Sequence, residues 1–194
     1  MARRCGRHVT RDSRRSIYIG PWRIDIVRRS GAQQPLPGST IARQVDFALV
    51  ASNAPRPGSV TVVLTDDEEL ADLNQEHMGH EGPTDVLSFP MLPPGAFSRS
   101  GAVGMERTPD QMSEPGPRGR THIGDIAISV ERAVEQAADG RGGQTGDVQW
   151  STADELRLLV THGTLHLCGW DHALPDEEVA MRGLERRLLG HAAG

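Results

Sequence analysis

Apolar and polar residues alternate through WRIDIVR, residues 22–28, which is the period of a half-buried strand. A helical period follows over 39–53. There Ile41, Val45, Ala48 and Leu49 form one stripe, Ser39 or Thr40 can cap the start, and Pro55 and Pro57 close the element. SVTVVLT, residues 59–65, is β-branched and reads as a buried strand. The acidic run Asp66 to Glu69 suits the positive end of a helix dipole. Leu70 and Leu73 give that helix an inner face, and it should run to about His77.

VLSFP, residues 86–90, is a short strand stopped by proline, and residues 123–130 form another strand, with a helix after it to about Asp139. Two further helices complete the chain. The first is capped by Ser151 or Thr152, carries Glu155 in its first turn, and is anchored by Leu156, Leu159 and Val160. The second starts at Pro175, buries Val179, Met181, Leu184 and Leu188, and stops at Gly190. The pattern predicts an α+β single domain, a small sheet packed with helices, over 22–194.

Two stretches stand apart. Residues 93–121 hold five prolines, five glycines and few large apolar residues, and read as a mobile loop or insertion. Residues 1–21 precede the first expected strand and read as a disordered basic arm or the product of an upstream start codon. GRGG, residues 140–143, is a flexible break and not a phosphate loop, because the strand, lysine and helix of such a loop are missing.

Composition narrows the chemistry. All 21 basic residues are arginine, which excludes Schiff-base catalysis through lysine. Residues 1–31 carry nine arginines and two aspartates, while the rest carries twelve arginines against twenty-four acids. A basic arm on an acidic body is compatible with nucleic-acid contact, but the body is a poor phosphate-binding surface. Two cysteines are too few for a disulfide framework and favour a reducing, cytoplasmic setting. No run approaches a membrane span.

HGTLHLCGWDH, residues 162–172, holds three of the eight histidines. On a helix His162 and His166 share a face, about 5–6 Å apart at Cβ. Gly169 can end the helix and turn the chain so that His172 reaches the same point. Three neutral imidazoles with an open fourth position describe a catalytic zinc site, one ion per chain, better than a closed structural one. One class of zinc proteases shares this spacing but places a glutamate directly after the first histidine as general base. Here that residue is Gly163, which demotes peptide hydrolysis.

HGTLHLCGWDH resembles the HGxLHLxGYDH signature of the YbeY family of bacterial endoribonucleases; only Trp170 departs from it. GPTDVLSFP, residues 82–90, and GDIAIS, residues 124–129, resemble two further family blocks in the same order. The resemblance covers about residue 24 to the end. It implies a zincin-like fold with zinc on His162, His166 and His172, and hydrolysis of single-stranded RNA. It also implies maturation of the small-subunit rRNA 3′ end and a role in ribosome quality control. The partners it implies are rRNA and the ribosome, a small-subunit ribosomal protein and an assembly GTPase, with no membrane.

One position departs from the family. Where many members carry an arginine thought to assist at the phosphate, this chain has Met78, preceded by His77. Arg99, Arg107, Arg118, Arg120 or the basic arm are candidate substitutes. Without one, a largely non-catalytic assembly factor becomes the competing reading. Asp171 either orients a ligand histidine or serves the turn after Gly169. Glu155 lies two turns before His162 and can line the cleft, as can Ser88. Asp85 reads as turn and sheet structure, and Cys168 as a small buried apolar residue facing away from the metal.

Overall fold

The computed structural model describes residues 12–97, 119–140 and 150–191. Five strands, β1 (Ser13–Ile19), β2 (Trp22–Arg28), β3 (Gly58–Thr65), β4 (Val86–Pro90) and β5 (Thr121–Ser129), form one sheet in the order β1-β2-β3-β5-β4. The three inner strands are parallel, and the edge strands β1 and β4 run antiparallel to their neighbours. The helices are α1 (Gly38–Ala51), α2 (Asp67–Met78), α3 (Val130–Ala138), α4 (Thr152–Leu167) and α5 (Pro175–His191). This is the small mixed sheet packed with helices that the periodicities predict.

The main core lies between one sheet face and α1, α3 and α4. Trp22, Ile24, Val60, Val62, Ile126, Ile128, Leu156 and Val160 are buried there. α2 covers part of the opposite face, where Leu70 meets Leu87 and Ala127. α5 closes on α4 and α1 through Met181, Leu184 and Leu188, beside Ala48 and Leu165.

Several expectations are corrected. The fold begins at β1, not near Trp22, so residues 13–19 of the expected disordered arm are a strand. Ile17 and Ile19 pack on the core, and a two-residue Gly20-Pro21 turn pairs Ile19 with Trp22. Residues 1–11 lie outside the described residues. α1 starts after Pro37 with no side-chain cap, so neither Ser39 nor Thr40 serves. Val179 is exposed rather than buried, and α5 runs past Gly190 to His191. The expected loop at 93–121 begins as a short 3-10 turn, Pro94–Ala96, followed by buried Phe97. Residues 98–118, including Arg99, Arg107 and Arg118, and residues 141–143 of GRGG are outside the described residues.

Two local devices set the position of α4. Ser151 caps its start in a reciprocal box with Asp154. At its end, Gly169 adopts φ +77°, its N–H bonds the His166 carbonyl, and the Trp170 N–H bonds the Leu165 carbonyl. These are the paired bonds of a Schellman turn, which needs a residue at ease with positive φ. The chain reverses there against Pro94, the nearest atom to any side chain at Gly169.

Candidate metal centre

That reversal brings His172 back to the helix face carrying His162 and His166. The ring centroids of His162 and His166 are 4.5 Å apart, and His172 lies 5.6 Å and 5.0 Å from them. One nitrogen of each ring lies within 4.8 Å of the others, so the three can hold one metal ion.

The hydrogen bonds fix which nitrogens face inward. His166 Nδ1 is 2.9 Å from the Trp170 carbonyl oxygen, which can only accept, so Nδ1 carries the proton. His162 Nδ1 stands 2.6 Å from Glu185 Oε1 and donates to that carboxylate. In the neutral rings both Nε2 atoms are then bare lone pairs, and they face one another at 3.0 Å. Two lone pairs at that distance repel unless a cation or a proton lies between them. Burial, with the neighbouring His162 and His172, pushes the His166 pKa below its ordinary value and disfavours the proton. The donor set therefore fits a divalent ion bound by neutral imidazoles.

Glu185 is the site residue that sequence reasoning missed. It belongs to α5, is buried, and stands next to Leu184 on the helix's inner face. A carboxylate on a buried helix face needs a partner, and that was the available signal. Asp171 does not orient a ligand ring. Its Oδ1 accepts from the His172 backbone N–H at 2.7 Å, which is the turn role.

The triad lies where two cavities meet, of about 500 Å³ and 520 Å³, with His162, His172 and Asp85 in the walls of both. Glu155 lines the first and accepts from Trp150 Nε1 at 2.6 Å. Ser88 lines the second, but its hydroxyl donates to the Gly163 carbonyl and ties β4 to α4. Asp85 takes bonds from the Val86 N–H and Gln136 Nε2, the structural role expected. Met78, half exposed, lines the second cavity with His166, so the uncharged position opens into the cleft. Arg120 lies outside both cavities; it bonds the Pro21 carbonyl and lies over Tyr18. Burial pushes the Cys168 thiol up to about 12, so it stays protonated, away from the metal face.

Gly163 is pressed against the sheet. A Cβ there would stand 2.7 Å from Ile126 Cγ2 and 3.1 Å from Val86 Cγ2. The position of the protease's general base is thus filled by β4 and β5.

Residues 33–193 match the family model described as Endoribonuclease YbeY. The chain belongs to the YbeY family. A YbeY endoribonuclease of Thermobifida fusca is 39% identical over 86% of this chain and 91% of its own length. The YbeY endoribonuclease of Salinispora tropica is 36% identical over 86% and 93%, and that of Mycolicibacterium gilvum 45% over 67% and 61%. A solution structure from Thermotoga maritima covers 88% of each chain at 20% identity with a TM-score of 0.48. The enzyme class that HGTLHLCGWDH implies, a metal-dependent endoribonuclease, is that of the YbeY family. Among the described residues no helix is long and apolar enough to cross a membrane.

Proposed function

We propose that this YbeY protein is a zinc-dependent, single-strand-specific endoribonuclease. It matures the 3′ end of small-subunit rRNA and acts in ribosome quality control in the cytoplasm. The observation that carries the chemistry is the pair of opposed Nε2 lone pairs on His162 and His166, with His172 beside them. The rRNA substrate and the partners (the ribosome, a small-subunit ribosomal protein, an assembly GTPase) rest on the family resemblance.

His162, His166 and His172 would hold the ion. Bound there, a zinc ion would supply Lewis-acid polarisation of a phosphoryl oxygen and a lowered pKa for an attacking water. Glu185 and the Trp170 carbonyl keep the two helix imidazoles in the tautomer that presents Nε2. Buried Leu159 and Met181 line the first cavity and limit water beside the triad. Peptide hydrolysis is disfavoured because the sheet occupies the space beside Gly163.

Met78 favours a second reading, an assembly factor that binds rRNA and cuts little, because a thioether cannot neutralise a phosphate oxygen. One experiment separates the two. Metal-loaded protein is given a single-stranded RNA bearing the rRNA precursor 3′ end, and the same RNA as a duplex. The nuclease cuts the single strand and spares the duplex, and Met78→Arg speeds the cut. No cut by wild type or by Met78→Arg supports the assembly factor.

A further inference from the structure

Arg182 is the arginine that lines the cleft: among the described residues, no other cation besides histidine borders either cavity at the triad. Everything else charged in the first cavity is a carboxylate. Glu155 is taken by Trp150, Glu185 by His162, and Asp85 by Gln136 and the Val86 N–H. Glu178 alone faces Arg182, with Oε1 2.7 Å from Nη2.

That pair is poised to exchange. Arg182 is 70% exposed and Glu178 43%, so water screens their attraction and an exposed pair one helical turn apart holds weakly. A phosphate offers the guanidinium two oxygens in matching geometry, whereas the ion pair with Glu178 runs through one nitrogen and one oxygen. Arg182 also stands three residues before Glu185, whose carboxylate holds His162, so the two share a face of α5 about 5–6 Å apart at Cβ. The second cavity, by contrast, is lined by uncharged Met78, Pro90, Pro94 and Trp170 and by the carboxylates Asp85 and Asp171, and holds no cation besides histidine. A strand laid across the triad therefore meets its positive anchor on the α5 side.

Resting on the ribonuclease reading, we propose that Arg182 leaves Glu178 and binds a backbone phosphate of the RNA beside the scissile nucleotide. It is a positioning residue, and it makes the α5 cavity the phosphate subsite of the cleft.

The test measures binding, not cleavage. Full-length, zinc-loaded protein is titrated with a labelled single-stranded 2′-O-methyl oligoribonucleotide at several salt concentrations. Arg182→Ala is compared with Arg186→Ala, which removes the same charge from an exposed position of the same helix outside both cavities. Arg182→Ala should weaken binding about tenfold at low salt and flatten the log–log salt slope by about 0.7, the share of one single-strand phosphate contact. Glu178→Gln, which removes the competing carboxylate, should tighten binding about twofold to fivefold. Equal affinities and slopes for Arg182→Ala and Arg186→Ala overturn the subsite and leave the ribonuclease reading standing. A wild type that binds no strand overturns both.

Discussion

His122 and His166 lie on opposite sides of the sheet, and their surroundings drive them in opposite directions. His122 projects from β5 on the face away from α4. A register shift near Gly124 brings Asp125 to the same face, and Asp125 Oδ1 is 3.0 Å from His122 Nε2. The carboxylate raises the His122 pKa against its burial, and the hydrogen bond from His122 lowers that of Asp125. Burial first, and then the neighbouring His162 and His172, lower the His166 pKa against the backbone carbonyl on its Nδ1. The carboxylate favours the cationic form of His122. Burial favours the neutral form of His166, with a lone pair free for a metal. The residue type is the same, so the direction of the shift comes from what surrounds each ring.

The largest effect short of removing a ligand is expected at Glu185. Glu185→Gln keeps an acceptor for His162 Nδ1 but loses the charge. Metal affinity should fall about 10–100-fold in a chelator competition. Unchanged affinity would mean that Glu185 is only a packing group of α5.

The outer face should answer in stability instead. Burial pushes Asp25 up, but hydrogen bonds from Ser16, Arg14 and Arg23 outweigh it and hold the carboxylate below its usual range. Asp25→Ala leaves those donors without their acceptor and should cost about 2 kcal/mol, or about 4–8 °C in Tm. Its metal content should stay at the wild-type level, and a loss of metal would erase the division between the two faces.

The smallest effect is at His122, and it depends on pH. Its folded pKa is raised, so its contribution is complete below the ordinary 6.5 and is lost as the pH rises through the folded value. Asp125 is lowered, so its contribution holds above 3.8 and is lost as the pH falls through the folded value. Both act at about pH 5. Both side chains are over a third exposed, which screens the pair. His122→Gln should lower Tm by about 1–3 °C at about pH 5 and by almost nothing at about pH 9. An equal loss at both values would show that the ring acts by packing rather than charge.

Most of the metal site was legible because it is local. Eleven residues carry the two helical histidines, the glycine that reverses the chain and the third ring, and their spacing maps directly onto one helix face. Glu185 was not legible in the same way, since its partner lies on another helix and only the folded packing of α5 on α4 joins them. β1 was masked by its arginines, although Ile17 and Ile19 alternate as β2 does and Gly20-Pro21 marks the turn. His122 and Asp125 are three residues apart and would point to opposite faces of a regular strand. The irregularity at Gly124, which reads in the sequence as an ordinary glycine, brings them together.

The most direct test compares wild type with His166→Ala, purified identically, for bound metal and for cleavage of single-stranded RNA. A three-histidine ribonuclease centre predicts about one equivalent of zinc in the wild type. In the variant, zinc is lost together with at least about a hundredfold of the cleavage rate, more than loss of a ligand's hydrogen-bond partner would cost. Equal cleavage by the two proteins would contradict it.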